Sequence, residues 1–427
     1  MQNYVNWFRT AAPYINAHKG KTVVLAFGGD VVQDERFAAI VHDIAILSTL
    51  GLKIVLVHGT ARGMEETLPT PALESGAARG RRAISTQDLE RITGHAGLLR
   101  ARVEALLSMG IANSPMHGAR IRVCSGNFVI AQPVGIHGGT DFGHAGRVRR
   151  IDREGIAAEL GSGNIVLLSP LGYSTTGEIF HLGRDEVAVA AATALGADKL
   201  VFLEEDLLTD AAGNVQRDLP LKLAQMLAAE QHSAVLDAAI DACQGGVERC
   251  YVLDYRRDGA LLCELYTRDG IGTMVNRDSY ESIRVAGIED VGGIMELIAP
   301  LERDGTLVRR SRERLELEID CFSVVERDGA IIACAALYAD TPNRSGELAC
   351  VATDPGYQRS GRANRLLEHI EARARESSIE RLFVLTTRTA HWFVERGFLP
   401  AELAELPEKR RELYNYQRNS KVFIKSI

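Results

Sequence analysis

The segment Glu347-Leu-Ala-Cys-Val-Ala-Thr-Asp354-Pro-Gly-Tyr-Gln358-Arg359-Ser360-Gly361-Arg362-Ala363 joins an apolar run headed by a carboxylate to a glycine turn. It reads as a strand, a loop of the form Gln-x-x-Gly-x-Ala and the start of a helix. Backbone N–H groups at a helix start, aided by the helix dipole, form an anion site. Small residues at Gly361 and Ala363 let a pyrophosphate approach the main chain. A glycine before a helix is also a common cap, so the position of the turn directly after an apolar strand is what gives it weight. Arginines supply the matching charge: of the basic residues in 281–427, all but Lys409, Lys421 and Lys425 are Arg, the side chain suited to planar anions.

The elements that must hold this turn follow from the apolar patterning. Residues 2–18 carry Tyr4, Trp7, Phe8, Ala11 and Ala12 at helical spacing, and Gly20 stops the helix. Thr22–Phe27, a glycine turn at Gly28-Gly29, a helix over 35–50 and a strand over 53–59 form a βαβ unit, which predicts a parallel sheet. Strand, helix and strand recur at 164–168, 185–195 and 199–203, and 247–254 with 260–266 reads as a hairpin. The pattern breaks into polar turn residues at 274–279, where a domain boundary is expected. Beyond it come a helix from 289, a meander at 321–326, 330–338 and 347–352 turning at Asp328-Gly329, a helix over 361–377 and a strand over 381–386. A helix at 391–396 and a last strand at 421–424 complete an α+β arrangement.

The chain has 427 residues, room for two or three domains, and a net charge of −7, which argues against nucleic-acid and membrane partners. Its seven cysteines are odd in number and scattered, with no CxxC, so packing thiols are expected rather than disulfides or a metal site. No apolar run reaches membrane-span length and the first residues lack signal-peptide character, making the cytoplasm the expected location.

With its ending Trp392-Phe-Val-Glu-Arg-Gly-Phe398, the region from about 283 resembles the GCN5-related N-acetyltransferases. The resemblance implies that Gln358, Arg359, Ser360, Gly361, Arg362 and Ala363 cradle the pyrophosphate of acetyl-CoA, and that Val351 and Ala352 line its pantetheine arm. The chemistry then needs a base for an amine nucleophile, and Glu347 could take that proton, directly or through water; a solvated strand-end glutamate is the alternative. The leaving thiolate needs a donor. Thr386 could supply it, and Tyr414 is a rival whose phenol suits thiol protonation better. The Val351 N–H could hold the oxyanion. Cys350 is a covalent candidate without an evident base partner. Two separate basic clusters, one around Arg310 and one at Arg418-Asn-Ser420, suit an acceptor with two carboxylates, glutamate or aspartate; each could equally be solvated surface.

Residues 20–278 resemble the amino-acid kinases, N-acetylglutamate kinase above all, but the catalytic groups have decayed. The strand lysine is replaced by Ala26, the His-Gly-x-Gly turn reads His58-Gly59-Thr60-Ala61, and the later motif keeps only Asp185 in His181-Leu-Gly-Arg184-Asp185. Phosphoryl transfer rests on placed charge, so kinase activity is not expected. Glu264, followed by Gly270-Ile-Gly272-Thr-Met274, matches the arginine site of arginine-inhibited kinases in that family. The resemblance implies an L-arginine site of Tyr14, Tyr251, Glu264, Gly270 and Gly272, with Tyr251 standing where those kinases usually carry histidine.

The expected fold is therefore α/β: an amino-acid kinase-like parallel-sheet sandwich followed by a smaller α+β GCN5-related N-acetyltransferase domain. The expected segments are a helix at 1–19, a regulatory domain at 20–278, a linker at 279–286 and the transferase at 287–427. This order resembles the bacterial N-acetylglutamate synthases. The resemblance implies acetyl-CoA as co-substrate without a metal, L-glutamate as acceptor, direct transfer in a ternary complex, feedback inhibition by L-arginine and a ring-like hexamer. The alternatives are a bifunctional synthase/kinase and an arginine-sensing protein with a vestigial transferase.

Overall fold

A computed structural model describes residues 2–68, 81–109, 116–209, 215–231, 233–267, 269–277, 281–327, 329–358, 361–414 and 420–427. The chain divides into two compact units, Met1–Asp278 and Ser279–Ile427.

The first unit opens with α1 (Gln2–His18), whose Ala11 is buried while Trp7 and Phe8 stay half or more exposed. Strand β1 (Thr22–Phe27) is apolar and rich in β-branched residues, and Val23 to Phe27 are wholly buried. It is followed by α2 (Gly29–Gln33), a short helix in place of the expected glycine turn, then by α3 (Phe37–Thr49), the expected helix, and β2 (Lys53–His58). Further on lie α4 (Arg184–Leu195), β3 (Lys199–Glu204), β4 (Arg249–Asp254), α5 (Ala260–Tyr266) and β5 (Thr273–Asn276). The main sheet runs 218–220, β5, β4, β3, β1, β2, 165–168 and 123–124; its pairs are parallel except β4 with β5. A second sheet of four strands comprises 179–181, 171–173, 129–133 and 146–151. The expected hairpin at 247–266 is a strand followed by a helix. Left-handed Gly259 (φ 69°) starts α5, which buries Leu261, Leu265 and Tyr266 at i, i+4, i+5.

Asp43, on α3, is 8% exposed. Burial, with a smaller contribution from Asp258, raises its pKa to about 7. A carboxyl that binds its proton more tightly when folded costs stability as pH rises from its unfolded value near 4 towards 7. Asp43→Asn is expected to stabilise the chain by about 2 kcal/mol at pH 8, allowing for residual solvation, and by about half that at pH 5.5. Urea unfolding at both pH values measures this, and an equal gain at both would contradict it.

The second unit begins with β6 (Glu281–Val285), in antiparallel register with β7 (Phe322–Arg327). Most of the expected linker is therefore an edge strand. Then come α6 (Val291–Arg303), before β7 in the chain, and β8 (Ala330–Asp340), β9 (Ser345–Thr353), α7 (Arg362–Glu376) and β10 (Arg381–Thr386) after it. The chain finishes with α8 (Ala390–Val394), β11 (Leu399–Ala401), α9 (Glu408–Glu412) and β12 (Lys421–Ser426). The sheet order is β6, β7, β8, β9, β10, β12, β11, with β9 and β10 the parallel pair. Asp328 of the expected turn lies outside the described residues. Helix α7 buries Leu366, Leu367, Ile370 and Ala374 on the sheet, the spacing of one helical face. Among the described residues no helix is long and apolar enough to cross a membrane, and all seven cysteines are free thiols.

Candidate active site

Strands β9 and β10 pair only at Ser345, Gly346 and Glu347, against Arg381, Leu382 and Phe383, and then diverge. The divergence opens a cavity of about 610 Å³, the size of a cofactor cleft. One wall is Leu348–Thr353, the other Val384–Thr386, with Trp392 and Phe393 beneath. On the side facing β8, Ala336 pairs with Ala349 and Cys334 with Ala352, so Ala335 opposes both Cys350 and Val351. This is a β-bulge, and Cys350 takes a left-handed φ of 52° within it. Such a conformation costs a non-glycine residue about 1 kcal/mol or more, a strain held by the surrounding sheet.

At the end of the cavity lie Gln358 and Gly361–Asn364. Gly361 has φ 78° and offers no side chain to cap the 15-residue α7, so the helix start faces the cavity with its dipole. A Cβ on Gly361 would meet no neighbour, so a side chain there would cost backbone strain and would crowd an approaching phosphate. Asp354 Oδ1 accepts the Gly356 N–H at 2.9 Å and shapes the preceding loop, while Gln358 Nε2 donates to the Thr353 carbonyl at 3.3 Å. Arg359 and Ser360 lie outside the described residues. Arg362 lines the cavity, but its guanidinium pairs with Glu281.

Glu347, where the strands part, is gripped by Arg410 of α9 through two bonds, Nε to Oε2 at 2.6 Å and a second terminal nitrogen to Oε1 at 2.9 Å. A bidentate partner fixes the direction of the carboxylate. Thr386 lines the cavity, and its Oγ1 accepts N–H groups of Thr389 at 3.1 Å and Arg388 at 3.4 Å while sharing a hydrogen bond with the Thr389 hydroxyl. Tyr414 is buried, and its hydroxyl donates to the Ser420 carbonyl at 2.8 Å. Arg310 sends its main-chain N–H to Glu302 at 2.9 Å. Burial opposes its charge, but Cys350, Tyr338 and Glu318 override this and raise its pKa. Arg418 lies outside the described residues. Two contributors escaped sequence reasoning. Arg410 sits in a run of exposed charge and reaches a carboxylate 63 positions away. Arg396 lines the cavity, stacks 4.1 Å from the Trp392 ring centre and bonds Asn364.

In the first unit the glycine turns line a cavity of about 340 Å³ that an arginine enters. Arg184 lies across them: a Cβ on Gly59 would sit 3.3 Å from its side chain and one on Gly28 3.7 Å from its guanidinium. The guanidinium bonds Asp185 at 2.7 Å and Glu204 at 2.6 Å. Burial disfavours this charge, yet Asp185 and Glu204 raise its pKa. Gly29 survives for packing, since a Cβ there would come within 2.5 Å of the Ala61 nitrogen. Ala26 is fully buried, with no charge to offer.

Elsewhere in this unit the expected arginine residues take up defined places. Glu264 Oε2 accepts the N–H groups of Ile271 at 2.6 Å and Gly272 at 2.8 Å. Gly270, with φ 56°, lets the carboxylate approach to where a Cβ would lie at 2.6 Å, and a Cβ on Gly272 would strike Leu253 at 2.2 Å. The buried Tyr251 hydroxyl accepts from Lys199 Nζ at 3.0 Å. Tyr14 is half-buried on α1, its carbonyl 2.6 Å from the His18 ring nitrogen, and His18 packs edge-on against Tyr266 of α5.

A kinase-like unit with alanine in place of its strand lysine, followed by a splayed sheet whose cavity ends at a helix start, defines an acyltransferase joined to an amino-acid kinase fold. Comparison with known proteins agrees. Residues 21–254 match the amino acid kinase family and residues 293–398 the acetyltransferase (GNAT) family. Amino-acid acetyltransferases of Pseudomonas putida GB-1 and Pseudomonas syringae pv. syringae are 52% and 53% identical, over the full length of both chains. The N-acetylglutamate synthase of Neisseria gonorrhoeae, in complex with coenzyme A and L-arginine, is 37% identical with a TM-score of 0.86 over 99% of each chain. The same synthase with coenzyme A and N-acetyl-glutamate gives a TM-score of 0.62. The chain belongs to the amino-acid acetyltransferase family, which includes the N-acetylglutamate synthases.

Proposed function

We propose that the chain transfers the acetyl group of acetyl-CoA to the α-amine of L-glutamate, and that L-arginine inhibits it through the first unit. The observation that carries the reading is the cavity between β9 and β10, with a helix start at one end and the half-buried Glu347 carboxylate, next in sequence to the lining, where the strands part. The pyrophosphate lies against Gln358 to Ala363, and the pantetheine arm follows Val351 and Ala352. The thioester then sits at the splay, where the Val351 N–H receives the oxyanion. Glu347 takes the ammonium proton, directly or through water, as the amine attacks; the C–N bond forms and the C–S bond then breaks. The departing CoA thiolate is stabilised by a hydrogen bond from a hydroxyl, and the proton it finally takes comes from solvent. Thr386 is the donor the cavity favours, because it lines the space and its oxygen is polarised by two N–H groups, whereas Tyr414 is turned to Ser420. Arg310, Arg418 and Ser420 are the proposed contacts to the acceptor carboxylates. The arrangement of Tyr14, Tyr251, Glu264, Gly270 and Gly272 suits a guanidinium ligand, since both bonds to Glu264 fall on Oε2 and Oε1 remains for it. The exposed Trp7 and Phe8 on α1 support assembly into an oligomer, the hexamer that the resemblance implies. A cytoplasmic setting accords with the seven free thiols.

The test is product analysis with acetyl-CoA and a panel of amino acids, with and without arginine. N-acetylglutamate is the expected product, with aspartate a poor acceptor. Preferred acetylation of a non-acidic amino acid would overturn the substrate assignment, and turnover indifferent to millimolar arginine would remove the regulatory half.

Transfer is direct, without an acyl-enzyme. Cys350 lines the cavity, and a hydrogen bond from Cys334 lowers its pKa, but the charges that act on it are Arg310 and Glu302, with no histidine among the described residues to act as its base. Cys350→Ala is expected to keep kcat within about five-fold, whereas loss of a covalent nucleophile costs orders of magnitude. Steady-state rates decide between them.

A further inference from the structure

The geometry points to Glu281 as a positioning residue for the start of the cradle helix, on which the affinity for acetyl-CoA depends. This rests on the reading of the cavity as the CoA site.

Glu281 opens β6 and is 6% exposed, a charged side chain in the inward position of an edge strand. Three guanidinium groups converge on it. Arg362, the first residue of α7, donates from Nε at 2.6 Å and again from a terminal nitrogen. Arg327 of β7 donates at 3.3 Å, and Arg365 lies at 3.6 Å. Arg362 and Arg327 also sit 5.0 and 5.5 Å from the ring centre of Tyr357, which belongs to the loop preceding the cradle. Tyr357 and Arg362 both line the cavity. One carboxylate thus ties the loop, the first turn of α7 and the edge of the sheet together.

The tie matters because of Gly361. A left-handed glycine without a side chain gives phosphate its access but contributes nothing that fixes the helix start. An anion site made of backbone N–H groups gains affinity when those groups are already oriented. The Arg362 side chain, clamped by Glu281 and stacked on Tyr357, provides that orientation. Arg362 and Arg327 are themselves largely buried, with side-chain exposures of 16% and 11%, and such charges are tolerated only beside an opposite charge.

The experiment is calorimetric titration of the full-length chain with CoA, alongside steady-state kinetics. Glu281→Gln keeps the shape and removes the charge. The expected result is a Kd for CoA and a KM for acetyl-CoA raised about ten-fold, with kcat and the KM for the amino-acid acceptor within two-fold. A purely structural role would not separate the two KM values in this way. If Glu281→Gln does not fold, Arg327→Lys tests the same tie from the sheet edge, outside the cavity lining, because lysine keeps the charge and loses the planar fork. The same ten-fold loss is expected there. Unchanged or tighter CoA binding in a folded variant, where the wild type binds CoA, would overturn the role of Glu281 alone. A wild type that binds no CoA would remove the cavity reading, and this inference with it.

Discussion

Glu347→Gln is expected to lower kcat by about two orders of magnitude at pH 7 while leaving the KM for acetyl-CoA within two-fold, the usual scale of a general base. The amine must lose its proton before or during attack, and Glu347 is the carboxylate at the point where β9 and β10 part. Glutamine keeps the side-chain shape and one of the two acceptor positions for Arg410. Arg410 has a side-chain exposure of 30%, so its charge can turn to water and the fold should survive. The deficit has a pH signature. Without a base only amine that is already neutral reacts, so the variant's rate rises about ten-fold per pH unit below the amine pKa. The gap to the wild type is therefore widest near neutrality and narrows towards pH 9. A deficit that stays constant with pH would mean that Glu347 only shapes the site, and an unaffected rate would refute the assignment.

Arg184→Met is expected to destabilise the first unit by about 3 kcal/mol, because it leaves Asp185 and Glu204 facing each other without their shared cation. Adding Glu204→Gln should recover a large part of the loss, since the two residues act as one group. Urea unfolding of the wild type, the two single variants and the double variant measures the coupling. A cost below 0.5 kcal/mol for Arg184→Met would show that the guanidinium is ornamental to the fold. The outcome bears on function, because the glycine turns then hold a structural ion triad beside Ala26, where a phosphoryl-transferring lysine would stand. That speaks against the bifunctional synthase/kinase.

The limits of sequence reading follow from where information is local. Strands 22–27 and 53–58 were legible because central strands of a parallel sheet are buried on both faces and read as unbroken apolar runs. The strand at 345–353 and the helix start after Gly361 were legible because they are contiguous with the glycine turn between them. Residues 260–266 were misread because a seven-residue apolar stretch carries too few turns to separate a period of 2 from one of 3.6. The linker hid an edge strand because the inward position at its head is a glutamate, whose partners lie 46 and 81 positions away. Arg410 escaped for the same reason: its meaning comes from a carboxylate brought near by the fold. The decayed kinase motif was visible as an alanine for a lysine, but only the structure shows Arg184 across the two glycine turns.

The most direct measurement is thiol release from acetyl-CoA by the purified full-length chain, with L-glutamate added or withheld. The account predicts CoA release that depends on glutamate, saturates with it and matches N-acetylglutamate formation one for one. Release no faster with glutamate than without it would contradict the account.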